Sequence, residues 1–179
     1  MIIVISGPSG VGKSTIINKL NRKNNLYFCV SSTTRQIRKS EINGIDYNFV
    51  TDVDFNLLIE NNKLIEYEKY DKNLYGTTYK EIAKEDAYDA IILDLEVNGA
   101  MKIMNEYKDS VGVFIDINNA LLKDRLIKRG HTDTDFIETR LKLATNQRKH
   151  INSFKYNVFN NEINDTVKQV GYIINNEIL

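Results

Sequence analysis

Short apolar runs alternate along the chain with longer segments in which apolar residues recur three or four positions apart. The runs at 2–6, 90–94 and 111–115 are almost wholly apolar, which is typical of parallel strands buried on both faces, and a last short strand ends at Val158 and Phe159. The helical spacing predicts helices from the turn after the first run to about residue 22 and over 97–107, 120–128, 133–152 and 165–177. This alternation predicts a parallel sheet covered by helices on both faces.

Residues 31–78 interrupt this alternation. After a strand-like piece at 27–30, the segment has further strand-like pieces at 47–50 and 64–68 and a helix at 52–61; a turn at 75–78 leads into a helix at 79–86. We therefore predict a small mixed α/β unit inserted into the parallel core. Residues 121–150 are helical and basic at their exposed positions, which predicts a mobile helical lid.

The fold class predicted from these segments is a three-layer α/β/α architecture with a central parallel sheet. We expect one domain, because 179 residues can bury a single core of ordinary size. Its predicted parts are a core of residues 1–30, 79–120 and 151–179, an insertion of residues 31–78 and a lid of residues 121–150. Ligands of open α/β sheets bind beyond the carboxyl ends of the strands, the edge that the insertion and the lid would flank.

A glycine-rich turn directly follows the first predicted strand. Residues 7–14 have the pattern G-x-x-x-x-G-K-S, which between a strand and a helix indicates a phosphate-binding P-loop. Glycines let such a turn aim its N–H groups at phosphate oxygens, while Lys13 reaches the phosphates and Ser14 offers a hydroxyl to Mg²⁺. The predicted nucleotide-binding residues here are Gly7, Pro8, Ser9, Gly10, Val11, Gly12, Lys13, Ser14 and Thr15.

Composition narrows the functional classes. The 24 basic and 24 acidic residues balance, so net charge gives no support for binding to nucleic acid or to a membrane surface. The single cysteine, Cys29, allows no intrachain disulfide, and we interpret it as a small buried residue at a strand end. The first apolar run is too short for a signal peptide or a membrane span, so we expect a cytoplasmic protein.

A second polar region begins at Ser31. Arg35 and Arg38 are three positions apart and can grip one phosphate from two sides through their forked donors. Tyr47 and Tyr75 add hydroxyl donors. The sequence therefore offers a second phosphate-binding site, separate from the P-loop.

At this point the chain strongly resembles the guanylate kinase family. Residues 31–50 match the family pattern S-x-T-T-R-x-x-R-x-x-E-x-x-G-x-D-Y-x-F-V at every fixed position. The resemblance extends over nearly the whole chain, through further pieces in the same order: Ile65-Glu66, Tyr75-Gly76-Thr77-Thr78, Ile92-Leu93-Asp94, Arg125-Leu126 with Arg129-Gly130, Arg140-Leu141 and Val158-Phe159-Asn160.

The resemblance implies phosphoryl transfer from ATP to GMP, and to dGMP, giving ADP and GDP with Mg²⁺ as the cofactor. It implies that the GMP phosphate is held by Arg35, Arg38, Tyr47 and Tyr75. It implies that guanine is read by Ser31, Glu66, Thr77 and Glu96. Glu41 and Gly76 complete the implied GMP-binding set.

The resemblance also implies the groups that handle ATP and the transferring phosphoryl group. Asn160 would lie near adenine, and Asp94 would assist Ser14 in holding Mg²⁺. The implied catalytic residues are Lys13, Arg38, Arg125, Arg129 and Arg140, of which the last three would close over the transferring group.

The implied guanine site agrees with the chemistry of the base. Guanine presents two adjacent donors, N1–H and the 2-amino group, which a carboxylate such as Glu66 can accept, and the hydroxyls of Ser31 and Thr77 can donate to O6. Adenine presents an acceptor at N1 instead. Sites that hydrogen-bond a specific group can reject analogues lacking it by about 10⁴.

The chain departs from the family pattern at one position of this site. The family commonly has Asp-x-Asp after the apolar strand, whereas this chain has Asp94-Leu95-Glu96. The extra methylene of Glu96 changes its reach toward guanine, so the residue's detailed role is open at this stage.

Three alternatives are compatible with parts of the pattern. A nucleoside monophosphate kinase acting on another base is disfavoured by Glu66 together with Ser31 and Thr77. A guanylate-kinase-like scaffold module that binds phosphopeptides would lack the P-loop residues, whereas Lys13 and Ser14 are present here. A general P-loop ATPase or GTPase has no support, since the chain contains no N-K-x-D motif.

Overall fold

The computed structural model describes residues 1–20, 25–39, 41–70, 72–84, 87–128, 130 and 132–179. In chain order its strands are β1 Ile2–Ser6, β2 Leu26–Phe28, β3 Ser32–Thr33, β4 Asn48–Phe49, β5 Leu64–Tyr70, β6 Asn73–Thr78, β7 Ala90–Asp94, β8 Val111–Asp116 and β9 Tyr156–Phe159. The helices are α1 Lys13–Lys19, α2 Asp52–Glu60, α3 Tyr79–Ile82, α4 Val97–Glu106, α5 Asn119–Lys128, α6 Thr134–Arg148 and α7 Ile163–Ile178.

Five parallel strands form the central sheet in the order β2-β7-β1-β8-β9. Side chains of a strand alternate between the two faces of its sheet, so β1 serves two cores. Ile3 and Ile5 pack with buried residues of α1, α5, α6 and α7, whereas Ile2 and Val4 pack with those of α4. The apolar runs of the sequence are therefore buried on both faces, as predicted.

The register of the central strands brings the polar segments to one edge. Ile5 of β1 lies opposite Asp94 of β7, and Ser6 lies opposite Phe114 of β8. The turn after Ser6 and the residues after Asp94 consequently leave the sheet side by side, at the carboxyl ends of the strands.

A second, mixed sheet is formed within residues 31–78, in the order β4-β3-β6-β5. Strand β6 runs antiparallel to both β3 and β5. Helix α2 begins at a Thr51 cap, whose hydroxyl accepts from the Asp54 N–H, and it buries Phe55 completely. We call residues 31–78 the mixed-sheet unit.

One buried carboxylate ties the two chain connections between the sheets. Glu81 of α3 follows the mixed-sheet unit in the chain, and Tyr27 and Val30 precede it. Glu81 accepts from the Tyr27 hydroxyl at 2.7 Å and from the Val30 N–H at 2.9 Å. Both connections are thereby held at the same point. Cys29 lies here, half-buried, and burial raises the pKa of its thiol, which keeps the thiol protonated.

The predicted fold class is confirmed, with some changes in the elements. Residues 75–78, predicted as a turn, form part of strand β6 instead. Glycine at position 76 favours a turn when the sequence is considered alone. In the structure, the strand requires a glycine there, because a Cβ would be 2.8 Å from the Glu66 carbonyl oxygen and 3.1 Å from the Phe55 ring.

Two predicted helices are shorter than expected. Helix α6 begins after an Asp133 cap, which accepts from the backbone of Asp135 and Phe136, and it ends at Arg148 before a 3₁₀ turn at Ile151–Ser153. The helix predicted over 79–86 is observed as the four-residue α3, and its predicted end at 85–86 lies outside the described residues. Across the described part of the chain, none of the helices combines the length and the apolar character needed to span a bilayer.

Candidate active site

The P-loop connects β1 to α1. Gly7 and Gly12 adopt φ values of 140° and 104°, in the region that favours glycine. A Cβ on Gly7 would also collide with the Ile115 carbonyl oxygen, and one on Gly12 would lie 2.8 Å from the Asn160 amide nitrogen. Pro8, Ser9, Gly10 and Val11 complete the turn, which the Val11 N–H closes on the Pro8 oxygen at 3.1 Å.

Lys13 and Ser14 stand at the first turn of α1. Lys13 Nζ donates to the Gly7 carbonyl oxygen at 2.8 Å and lies 3.9 Å from Glu96 Oε1. The side chain of Lys13 therefore spans its own P-loop. Ser14 Oγ donates to Asp94 Oδ2 at 3.3 Å, while Thr15, the next predicted contact, is exposed.

Ser14 and Asp94 present oxygens that suit Mg²⁺. Burial raises the pKa of the Asp94 carboxyl, and Glu96 adds to this, whereas Lys13 and Ser14 act in the opposite direction. Within the described ranges no group of three or more His, Cys, Asp or Glu side chains could hold a metal by itself. Mg²⁺ is commonly held by one or two protein groups together with waters and phosphates, so this pair fits the ion.

Arg35 is fixed in the mixed-sheet unit by Glu41. The two arginine Nη atoms donate to the two Glu41 oxygens at 2.9 and 2.8 Å, which is a forked charge-assisted pair. The guanidinium lies 5.5 Å from the centres of both the Tyr47 and the Phe49 rings. Glu41 also accepts from the Arg38 N–H at 2.8 Å. Glu41 thus orients the arginines, a role that its place in a GMP-binding set did not specify.

The other predicted phosphate ligands surround Arg35. The Arg38 side chain is 73% exposed, with Nη1 4.0 Å from Glu41. Tyr47 and Tyr75 meet edge to face with centroids 6.0 Å apart, and Tyr75 hydrogen-bonds Arg35. Burial and the nearby charge of Asp94 raise the pKa of Tyr47 to about 12, so this cluster faces the carboxyl end of β7.

Glu66 occupies the centre of the predicted guanine site. It lies opposite Thr77 across β5 and β6, and Thr77 acts to lower the pKa of its carboxyl. Burial raises the pKa of Glu66 to about 7, to which Glu68 and Glu96 contribute. Ser31 Oγ lies 2.9 Å from Thr77 Oγ1, so both hydroxyls are at this site, and Gly76 packs on the Glu66 backbone.

The carboxylate of Glu96, another predicted guanine contact, lies between Lys13 and Gln147 of α6. Its Oε2 accepts from Gln147 Nε2 of α6 at 2.7 Å, and its Oε1 is the atom near Lys13. The longer side chain of Glu96 thus reaches both Lys13 of the P-loop and Gln147 of α6.

Arg125 and Asn160 both hold the backbone of the P-loop. Arg125 donates to the Val11 oxygen at 2.7 Å and to the Asn160 oxygen at 2.8 Å. The buried Asn160 amide donates to the Val11 oxygen at 2.7 Å and accepts from Thr166 at 3.0 Å. Both side chains therefore hold the P-loop through the carbonyl oxygen of Val11.

The two other arginines of the predicted lid differ in how far the structure places them. Arg140 of α6 lies 5.0 Å from the centre of the Phe136 ring and acts electrostatically on Glu68 across the cleft. Arg129 lies outside the described residues. Arg140 thus lies close enough to the mixed-sheet unit to act on its Glu68.

Sequence reasoning missed three residues of this site. Glu68 projects from the same face of β5 as Glu66. Loss of hydration and the charge of Glu96 raise the pKa of Glu68 to about 7, although the charges of Lys13 and Arg140 act to lower it. Gly99 gives Glu66 room, since a Cβ there would lie 2.5 Å from Glu66 Cγ. Gln147 contacts Glu96. Strand alternation could have indicated Glu68, but the other two depend on tertiary packing.

Together, the parallel sheet, the glycine-rich turn and the Lys13-Ser14 pair at the start of α1 define a P-loop α/β nucleotide-binding protein. A family model described as guanylate kinase matches residues 1–177, and the chain belongs to the guanylate kinase family.

Relatives and a solved structure agree with this membership. The chain is 37% identical over 179 residues to a guanylate kinase of Clostridium tetani, covering 99% of this chain and 86% of the relative. It is 37% identical over 181 residues to a guanylate kinase of Lactiplantibacillus plantarum, covering 99% and 88%. The crystal structure of guanylate kinase from Anaplasma phagocytophilum matches with a TM-score of 0.77 at 29% identity, covering 100% of this chain and 86% of that one.

Proposed function

We propose that the protein transfers the γ-phosphoryl group of ATP to GMP, giving ADP and GDP, and that dGMP is also accepted. The observation that carries this proposal is the placement of two phosphate-binding groups on one cleft. The P-loop with Lys13 lies on one side, and the Arg35 and Tyr75 cluster lies on the other, close enough for Asp94 to act on Tyr47. Such a cleft suits in-line transfer between two nucleotides.

The acceptor phosphate binds to Arg35, Arg38, Tyr47 and Tyr75. Arg35 is already oriented by Glu41, so part of the entropy cost of ordering it is met before GMP arrives. The exposed Arg38 is free to reach around the phosphate from the opposite side and then toward the transferring group. The two arginines together neutralise the acceptor's charge.

Guanine binds against the Glu66 carboxylate. Ionised Glu66 accepts from N1–H and the 2-amino group. The hydroxyls of Ser31 and Thr77, which hydrogen-bond each other at 2.9 Å here, exchange that bond for donation to O6 when guanine binds. Glu96 accepts a further donor at the edge of the base, and Gly76 keeps the β6 backbone close to the Glu66 backbone. An adenine would place its N1 lone pair against Glu66, which explains the preference for guanine.

ATP binds with its phosphates in the turn of residues 7–13 and its adenine near Asn160. Lys13 leaves the Gly7 carbonyl oxygen for the β- and γ-phosphates, while Thr15 lies at the exposed start of α1. Ser14 and Asp94 would hold Mg²⁺, which supplies neutralisation of the phosphate charge when it is bound. Because ATP and GMP are cytoplasmic metabolites, we place the reaction in the cytoplasm.

The transfer itself needs no protein nucleophile. Lys13, Arg38 and Arg140 neutralise the charge that spreads over the transferring group, and Arg129 would join them. Arg125 contributes by holding the P-loop through the Val11 carbonyl oxygen. In this account residues 31–78 act as the GMP-binding unit, residues 121–150 act as the lid, and the remaining residues form the ATP-binding core.

The acceptor selectivity tests this proposal. We expect ADP release from ATP and Mg²⁺ to be fast with GMP, measurable with dGMP, and lower by a factor of about 10³ or more with AMP and UMP. Glu66→Ala should lower kcat/KM for GMP by about 10²-fold or more, whereas Glu60→Ala, an exposed position on α2, should leave it unchanged. Equal turnover of AMP and GMP by the unmodified protein would contradict the proposal.

A further inference from the structure

The carboxylate of Glu96 is held by side chains from two other elements. Glu96 directly precedes α4, yet its side chain makes no cap to that helix. It extends instead into the cleft, where Oε2 accepts from Gln147 at 2.7 Å and Oε1 lies 3.9 Å from Lys13. The second distance exceeds that of a hydrogen bond, so Oε1 keeps acceptor capacity for another donor.

Only one of the two polar atoms of the Gln147 amide has a hydrogen-bond partner among the described residues. Its Nε2 must face Glu96, because the reverse orientation would set the amide oxygen against a carboxylate. The amide oxygen is then buried with no hydrogen-bond partner among the described residues. A buried acceptor without a donor lowers stability, so stability alone would favour an apolar side chain of this length. The polar contact to Glu96 is what the glutamine adds.

We propose that Gln147 is a positioning residue for GMP: it holds Glu96 Oε2 and leaves Oε1 as the oxygen that accepts a donor of the base. This inference rests on the proposed function, in which Glu96 accepts a donor of the base. Without Gln147, the Glu96 carboxylate is no longer fixed in this orientation, and the acceptor for guanine is lost.

The length of Glu96 matches this arrangement. An aspartate at position 96 would be shorter by one C–C bond, about 1.5 Å, and would no longer reach the amide of Gln147. The glutamate at 96 and the glutamine at 147 therefore work as a pair, although they are far apart in the sequence and lie on different elements, before α4 and at the end of α6.

Isothermal titration of GMP tests the proposal with Gln147→Met, which keeps the side-chain length and removes the donor. We expect the Kd for GMP to rise about 5- to 20-fold, or about 1–2 kcal/mol at 1.4 kcal/mol per tenfold. The Kd for ATP should stay within about threefold. The thermal midpoint should fall by less than about 3 °C, since an orphaned acceptor is removed as well.

A double-mutant cycle establishes whether Gln147 acts through Glu96. In a Glu96→Gln background, adding Gln147→Met should change the Kd for GMP by less than about twofold. Asn146→Met, at the exposed neighbouring position of α6, is the matched control and should bind GMP like the unmodified protein. Should Gln147→Met fail to fold, the isosteric Gln147→Glu replaces it and should weaken GMP binding at least as much.

Three results would overturn the inference. The first is an unchanged Kd for GMP in both Gln147 variants. The second is an undiminished effect of Gln147→Met in the Glu96→Gln background. The third is an equal loss of ATP and GMP affinity with a large fall in the thermal midpoint, which indicates a structural role for Gln147. If the unmodified protein itself binds no GMP, the proposed function fails, and this inference fails with it.

Discussion

Glu66 lies where its surroundings disfavour the ionised form that guanine requires. Its carboxylate is largely buried between β5 and the start of α4, and Glu68 and Glu96 place further negative charge nearby. Thr77 acts in the opposite direction through its hydrogen bonds, yet the pKa remains raised to about 7. The ionisation of one side chain therefore limits guanine binding in the neutral pH range.

A pH dependence of GMP affinity follows at this residue. Because its pKa is raised, Glu66 is protonated below about pH 7, and a protonated carboxyl cannot accept both guanine donors. We expect the Kd for GMP to rise roughly tenfold between pH 8 and pH 6 and to change little above pH 8. Isothermal titration across this range measures the effect.

The Glu66→Gln variant is the control for this measurement. The GMP phosphate itself titrates near pH 6, so some pH dependence persists without any carboxylate at position 66. We expect the variant to bind GMP more weakly at pH 8 and to show only the phosphate's dependence. The same dependence in both proteins would mean that Glu66 does not read the base in its ionised form.

Helix α4 and strand β5 meet at a glycine that leaves space for Glu66. Gly99 is in the second half of the first turn of α4, and a Cβ there would lie 2.5 Å from Cγ and 3.0 Å from Cβ of Glu66. We expect Gly99→Ala to displace the carboxylate and raise the KM for GMP about tenfold, with a much smaller effect on the KM for ATP. Steady-state kinetics with each substrate varied in turn measures this.

Gly171→Ala is a matched control within another helix. Gly171 lies in α7, where a new Cβ would meet only Leu20 at 4.0 Å, an ordinary contact. This variant should keep both KM values and gain up to about 1 kcal/mol of stability from helix propensity. Equal KM values for GMP in both alanine variants would show that Gly99 does not position Glu66.

The elements could be predicted from the sequence where local pattern determines them. The β-branched run before the P-loop forms β1, and the apolar runs at 90–94 and 111–115 form β7 and β8, since burial on both faces requires such runs. Strand β6 was missed because Tyr75-Gly76-Thr77 has the local chemistry of a turn. Its glycine is explained by the close approach of β5 and α2, which no local pattern reveals.

The same limit applies to the candidate site. The P-loop and the Arg35, Arg38, Tyr47 and Glu66 cluster lie in segments whose spacing carries chemical information. The sequence around Gln147 gives no such information, because the contact of Gln147 with Glu96 depends on how α6 lies against the end of β7. The resemblance implies substrate roles for Arg125 and Asn160, whereas their hydrogen bonds to the P-loop backbone depend on tertiary packing that no local pattern reveals.

Across the whole molecule, the active cleft is formed by parts that belong to different layers. The parallel core supplies the P-loop and Asp94, the mixed-sheet unit supplies Arg35 and Glu66, and α6 supplies Arg140 and Gln147. In the proposed reaction these parts act by bringing two nucleotides into line and excluding the water that would otherwise hydrolyse ATP. The proposed activity is therefore coupled transfer between two bound nucleotides.

Phosphorus NMR of a reaction with equimolar ATP and GMP and with Mg²⁺ tests for this coupled transfer, because it resolves every product. We predict that ADP and GDP form in equal amounts, that inorganic phosphate stays near its background level, and that no ADP forms when GMP is omitted. Formation of ADP and inorganic phosphate with GMP unconsumed would contradict the account.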